Sequence, residues 1–165
     1  MPTPDSPTSW SLARIFRQEL MAPSLHASNF EEVIDQLLDL AKRSDLVLDF
    51  LELKKDVVRR VRISSVVVGH GCAFPHPGKP TPAMLAGPVI VVAKTPTAIT
   101  CEGEPVQVAN MFFLICAPTS HEQHSILLRL AGMVEATNLP TELARASDPK
   151  QMYEVLLASE RQLVC

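Results

Sequence analysis

Aromatic side chains are scarce in this chain, 5% of 165 residues, with a single tryptophan and a single tyrosine. Trp10 and Tyr153 alone make no stacking platform for nucleic-acid bases. Massed charge is also missing. The net charge is −3, and the longest basic cluster is Arg59-Arg60-Val61-Arg62. That is too short for a general nucleic-acid surface, so no nucleic-acid partner is expected, although one of these arginines can hold a single anion. No apolar run approaches the roughly 20 residues of a membrane span, and Met1 to Ser9 has no basic region followed by an apolar core. The reading is a soluble protein with no signal peptide. The four cysteines, at 72, 101, 116 and 165, form no C-x-x-C pair. That excludes zinc-ribbon and dithiol redox motifs and fits buried free thiols in a reducing cytoplasm.

Apolar residues and proline are plentiful. Hydrophobic residues make up 47% and charged residues 20%, so a globular core is expected. Residues 1–8 read as a flexible leader and 9–165 as one domain. Ser9 is the expected cap of a short helix with Leu12, Ile15, Phe16 and Leu20 on one side, ended by Pro23. Ser28-Asn29-Phe30-Glu31 resembles a capping box opening an amphipathic helix, with Phe30, Val33, Ile34, Leu37, Leu38 and Ala41 as its core stripe. Asp45 is the expected cap of a helix over 46–61, with Leu46, Phe50, Leu53, Val57 and Val61 inward. The β-branched run Val66 to Val68 reads as extended.

Residues 77–82 can only be a loop. Pro88 to Lys94 and Thr97 to Cys101 read as two strands, Glu102-Gly103-Glu104 as a turn, and Val106 to Ala117 as a further strand. Continuous apolar runs of this kind indicate strands covered on both faces. Ser120 is the expected cap of a helix over 121–135, with Ile126, Leu127, Leu130, Met133 and Val134 inward. Asn138 is the expected cap of a short helix with Pro140 in its first turn. Ser147 or Asp148 is the expected cap of a last helix that starts near Pro149 and turns Met152, Val155 and Leu156 inward. Strands in the middle and helices at both ends predict an α/β sandwich with helices on both faces of the sheet.

Chemistry concentrates at Val66-Val67-Val68-Gly69-His70-Gly71-Cys72-Ala73-Phe74-Pro75-His76-Pro77. Gly69 and Gly71 permit tight turns. Pro75 and Pro77 stiffen the backbone around His76 at the end of an extended run. Such a placement suits chemistry that needs one imidazole aimed outward, although Gly/Pro clusters also mark ordinary loops. Neutral imidazole is nucleophilic near pH 7, with a reference pKa of about 6.5. Covalent capture by such a nucleophile divides a group transfer into two easier steps. A phosphoryl group would need surrounding donors and a cation. Arg60 offers a planar fork. His124, three residues after His121 at the start of a helix, can donate a hydrogen bond there.

Each of these has a plain alternative as a solvated surface residue. A metal reading of His70-x-Cys72 with His76 lacks a convincing fourth ligand and fits no zinc class. Cys72 as a nucleophile competes with Cys72 as a packed thiol.

Taken together, Arg60-Val61-x-x-Ser64-Ser65-x-x-x-Gly69-His70-Gly71-Cys72-Ala73-Phe74-Pro75-His76-Pro77 resembles the signature of the phosphotransferase-system enzyme IIA domain of the fructose/mannitol/nitrogen-regulatory type. Gly103-Glu104-Pro105-Val106, Phe112 to Pro118 and His124-x-x-x-Leu128 follow in the family's order, so the likeness covers roughly residues 11–160. The resemblance implies a central mixed β-sheet flanked by helices; no cofactor or metal is expected. It also implies that His76 accepts a phosphoryl group on its distal ring nitrogen from the histidine-containing phosphocarrier protein. His124 matches the second active-site histidine and Arg60 the active-site arginine, both stabilising the phosphoryl group.

Without fused transporter or enzyme IIB segments in the sequence, a nitrogen-regulatory signalling role is expected, with a regulated protein as target. The alternatives are a sugar-uptake enzyme IIA that passes phosphate to enzyme IIB, and a non-catalytic binding module on the same fold. Some positions depart from the family pattern. Val61 stands where an acidic residue is usual, so any ion pair made from there is absent. Cys72 and Phe74 replace aliphatics, and Pro77 replaces a small residue.

Overall fold

A computed structural model describes residues 10–164 of the chain. The expected leader, 1–8, and the expected cap Ser9 lie outside them. The helix expected after Ser9 is instead two 3-10 turns, Leu12–Arg14 and Gln18–Leu20, the first capped by the Ser11 hydroxyl. The reason is that this segment serves two cores. Leu12, Phe16 and Met21 pack on one face of the sheet and Leu20 on the other, which no single helical stripe can do. The Glu160 carboxylate takes the backbone N–H groups of Leu12 (2.7 Å) and Ala13 (3.3 Å), satisfying first-turn donors that have no partner within the turn.

The chain then makes strand β1 (Met21–Ala22) and helix α1 (Phe30–Ala41). The whole expected stripe of α1 is buried. Its cap lies one residue later than expected. Asn29 Oδ1 accepts from Glu32 N at 2.9 Å, while the Glu32 carboxylate reaches back to Ser28 N at 2.6 Å. Helix α2 (Phe50–Ile63) also starts later than expected, with Asp49 rather than Asp45 as its cap. Asp45 is left-handed, φ 61°, and ends a 3-10 turn. The backbone of 46–48 bonds across to 84–86 instead, through Leu48 N to Met84 O (2.7 Å) and Ala86 N to Leu46 O (2.8 Å). A long-range antiparallel bridge, Val47 opposite Leu85, has displaced the first helical turn that periodicity alone implied.

Strands β2 (Val67–Gly69), β3 (Cys72–Ala73), β4 (Val89–Cys101) and β5 (Gln107–Cys116) complete a five-stranded sheet in the order β1-β4-β5-β3-β2. The sheet is mixed: β1 with β4 and β3 with β5 are parallel, β4 with β5 and β2 with β3 antiparallel. The two strands expected over 88–101 are one, with a register irregularity between Lys94 and Ile99. Pro96 falls inside that gap, where a residue without an N–H cannot serve the ladder.

Helices α3 (Ser120–Ala136), α4 (Leu139–Arg145) and α5 (Pro149–Val164) follow. Thr119, not Ser120, caps α3, its hydroxyl accepting from Glu122 N at 3.2 Å. Asn138 precedes α4 without a side-chain cap bond, and Asp148 serves α5 by accepting from Gln151 N at 2.8 Å.

Each face of the sheet has its own core. Val89, Val91, Ala93, Phe112 and Leu114 join α1 and α2, while Ile90, Val92, Met111, Phe113 and Ile115 join α3, α4 and α5. Alternate residues of β4 and β5 thus enter opposite layers, which is why both read as unbroken apolar runs. Helices cover both faces, as the sequence pattern implied. Among the described residues no helix is long and apolar enough to cross a membrane.

One turn couples the sheet to the end of α2. Gly103 has φ 97°, and a Cβ placed there would lie 2.6 Å from the Ser64 carbonyl carbon and 2.8 Å from its oxygen. Ser65 N donates to Glu104 O at 3.1 Å across the same approach. Gly103→Ala should therefore destabilise the fold by about 2 kcal/mol or more, combining an unfavourable φ with a backbone clash. Chemical denaturation checks this; an effect within the ordinary ±0.5 kcal/mol of a surface change would contradict it.

Candidate functional site

The β2–β3 hairpin turns through Gly69 (φ 110°), His70 (φ 53°) and Gly71 (φ 78°). The two glycines therefore shape the hairpin tip, seven and five residues before His76. His70 itself sits 3.6 Å from Glu135 near the end of α3. After β3 the chain continues alongside β5, with Pro75 O accepting from Ile115 N at 3.0 Å. His76 comes next. It is half-buried between two buried prolines, and its Nδ1 lies 2.7 Å from Phe74 O. A carbonyl only accepts, so Nδ1 carries the proton and donates. The tautomer is thereby set, and Nε2 keeps its lone pair.

Tethers on the following residues come from the two flanking helices. Gln123 of α3 donates Nε2–H to Pro77 O at 2.8 Å. Asp56 of α2 accepts from Lys79 N at 2.8 Å and from Arg59 Nη2 at 2.8 Å. Gly78 lies directly against α2: a Cβ there would stand 3.4 Å from Asp56 Oδ1 and 3.7 Å from Arg60 Cβ. Arg60 directs one Nη1–H at Ser64 O, 2.9 Å away, which among the described residues leaves other donors of its fork uncommitted.

His124 sits on the outside of α3, exposed, directly after Gln123. Glu135, beside His70, marks the side of α3 that faces β2 and β3. His124 lies eleven residues before Glu135, about three helical turns, and so projects on that same side. The rise of about 16 Å along α3 is close to the roughly 20 Å that the chain covers from His70 to His76. Together with the Gln123–Pro77 bond, this puts His124 at the same end of the molecule as His76. Among the described residues no hydrogen bond joins the two rings. His121 belongs elsewhere, lining a cavity of about 680 Å³ with Trp10, Arg14 and Pro88.

Burial lowers the His76 pKa below its ordinary value. The bond to Phe74 O works in the opposite direction, the positive charge of Arg60 lowers the pKa further, and Asp56 raises it. The imidazole is thus neutral at pH 7. Cys72 points its thiol at His70 O (3.8 Å), and burial pushes it up to about 12. It is a protonated, packed thiol at neutral pH. Among the described residues no group of three or more His, Cys, Asp or Glu side chains could hold a metal ion.

The sequence matches the family model "Phosphoenolpyruvate-dependent sugar phosphotransferase system, EIIA 2" over residues 14–159. The chain belongs to this family. Enzyme IIA domains of this system are phosphoryl carriers. Solved structures show the same fold. The nitrogen regulatory protein IIA-Ntr from Neisseria meningitidis aligns with a TM-score of 0.76 at 15% identity, covering 88% of this chain and 98% of that one. IIA mannitol from Escherichia coli aligns at 0.72 and 17% identity, covering 86% and 98%. The complex of that enzyme IIA with phosphorylated enzyme IIB aligns at 0.74 and 16%, covering 87% and 97%. A search of curated proteins finds no match.

Within this enzyme IIA fold, Arg60 and His76 converge on the loop after β3. Val61, in place of the family's usual acid, is 3% exposed inside the apolar core between α2 and the sheet. The carboxylate that reaches the His76 loop is Asp56. Neither Asp56 nor Gln123 was singled out from sequence, although each carries a signal. Asp56 adjoins the inward Val57 and stands one turn before Arg60. Gln123 occupies an inward position of α3, three residues before Ile126 and seven before Leu130.

Because the folded pKa of His76 lies below its unfolded value, the unfolded chain binds the proton more tightly. His76 therefore withdraws stability as pH falls below about 6.5, until the folded pKa is passed. NMR titration of the ring should give a midpoint below 6.5. A midpoint at or above that value would contradict the burial and charge described for this ring.

Proposed function

We propose that this enzyme IIA domain is a phosphohistidine carrier that receives a phosphoryl group on His76 Nε2 from the histidine-containing phosphocarrier protein. The observation that carries the reading is the Nδ1–H bond to Phe74 O, which leaves Nε2 as the nitrogen with a lone pair. That lone pair attacks phosphorus, a new Nε2–P bond forms, and the donor's N–P bond breaks with its electron pair returning to the donor ring. No proton needs to leave His76, because Nδ1 keeps its own throughout. Transfer of this kind depends on positioning and on charge stabilisation. Arg60 supplies the cation, and His124 at the start of α3 supplies a further donor. Leu128, one turn after His124 and 60% exposed, offers an apolar contact for the docking protein.

The role we propose is regulatory, with the phosphorylation state of His76 controlling binding to a target protein. The likeness to IIA-Ntr supports it. A sugar-uptake role is the second reading, favoured by the likeness to an enzyme IIA in complex with phosphorylated enzyme IIB.

Incubation with phosphoenolpyruvate, enzyme I and the phosphocarrier protein should give acid-labile phosphate on the chain. His76→Ala should abolish it, while His124→Ala and Arg60→Gln should slow it by about ten- to a thousandfold. An unlabelled wild type with a cognate donor would sink the carrier reading, and a His124→Ala variant with wild-type rates would remove His124 from the site. The labelled protein offered a set of enzyme IIB proteins should keep its phosphate; rapid transfer would establish sugar uptake instead.

A further inference from the structure

Three alternate residues bracket the phosphoacceptor, and each is tied to a different element. Pro75 O is held by β5 (Ile115 N, 3.0 Å), Pro77 O by α3 (Gln123 Nε2, 2.8 Å) and Lys79 N by α2 (Asp56 Oδ2, 2.8 Å). Only the first is an ordinary continuation of the sheet. The other two are made by polar side chains that are almost wholly buried, Gln123 at 5% and Asp56 at 3% exposure.

Gln123 is unusual in a second respect. Its Oε1 is buried without a partner among the described residues, while its Nε2 bonds Pro77. Reversing the amide would set two oxygens against each other, so the orientation is forced. A half-satisfied amide is a poor choice for stability, since an apolar residue of similar shape would leave nothing unpaired at this inward position. The side chain is therefore explained by what its N–H holds rather than by what it adds to the core.

We propose that Gln123 and Asp56 are positioning residues for His76: a clamp from α3 and α2 that fixes the 77–79 loop and, through it, the line along which Nε2 meets phosphorus. The proposal rests on the carrier reading of His76 and names two residues that the reading did not contain. Neither touches the reacting atoms. Pro77 has no N–H to anchor, so its carbonyl is the one backbone handle available at that residue. Lys79 supplies the next.

The clamp also keeps the ring half-buried. The charged groups that act on the ring are Arg60 and Asp56, both from α2; Arg59 pairs with Asp56, Lys79 follows in the loop, and His124 stands at the start of α3. Releasing Pro77 lets water reach the ring, which moves its titration towards the ordinary histidine value.

The test uses Gln123→Met, which keeps the volume and removes both the tether and the orphaned oxygen. Its Tm should be unchanged or higher, while phosphoryl transfer from the phosphocarrier protein slows about ten- to a hundredfold. The His76 ring resonances, assigned with His76→Ala, should titrate at higher pH than in the wild type. A residue serving stability alone would show a fall in Tm and no change in that titration. An independent pair covers the other arm. Asp56→Ala should slow transfer, and Asp56→Asn, whose amide oxygen still accepts from Lys79 N, should restore most of it although both lack the carboxylate charge. Wild-type transfer together with an unchanged His76 titration in Gln123→Met would overturn the clamp. If the wild type itself takes no phosphate, the carrier reading fails, and the titration comparison still decides whether the clamp exists.

Discussion

One hydrogen bond, from His76 Nδ1–H to Phe74 O at 2.7 Å, sets which nitrogen of the ring can react. It depends on the backbone between the two residues, which Pro75 holds extended, and on the carbonyl of Phe74 being free to accept. Phe74 N is already paired with Val66 O (2.8 Å), so the residue is fixed from the segment that leads into β2 while its carbonyl turns to the histidine. The edge of the mixed sheet, two short strands beside β5, thus ends in a side chain of defined tautomer and orientation. Burial of that side chain adds neutrality at pH 7, and Arg60 adds positive charge nearby without forming a bond that would occupy Nε2.

The architecture around this bond explains the apolar character of the middle of the chain. β4 and β5 carry alternate side chains into two separate cores, so helices must cover both faces. Helix α2 brings Arg60 and Asp56 to one side of the His76 loop, and α3 brings Gln123 to the other. The hairpin tip at Gly69 to Gly71 lies at the opposite end of β3, where His70 meets Glu135. One run of sequence therefore holds two sites of different kind, a turn that needs positive φ and a segment that needs extended backbone. The glycines belong to the first and the prolines to the second.

Much of the fold was legible because long amphipathic stripes report burial directly. The α1 stripe from Phe30 to Ala41 and Ile126, Leu130, Met133 and Val134 of α3 are where periodicity placed them, while Leu127 is only partly buried. Errors arose where tertiary bonds replaced local ones. The 46–48 segment pairs with 84–86 instead of starting α2, and the stretch from Leu12 to Leu20 breaks into 3-10 turns because its apolar residues serve both cores. At the site, Arg60 and His76 were readable from their motif, and the structure brings them to the same loop. Asp56 and Gln123 were not, because their part is to bond backbone groups at residues 77 and 79, and no sequence spacing records which carbonyl or amide a buried side chain will meet.

Under the proposed carrier function Nε2, and not Nδ1, is the reacting nitrogen. Nitrogen-resolved NMR of the ¹⁵N-labelled protein, recorded before and after phosphorylation by the phosphocarrier protein, measures this directly. The account predicts a phosphorus coupling at His76 Nε2 with Nδ1 still protonated and bonded to Phe74 O. Phosphorus on His76 Nδ1, or on another residue, would contradict it.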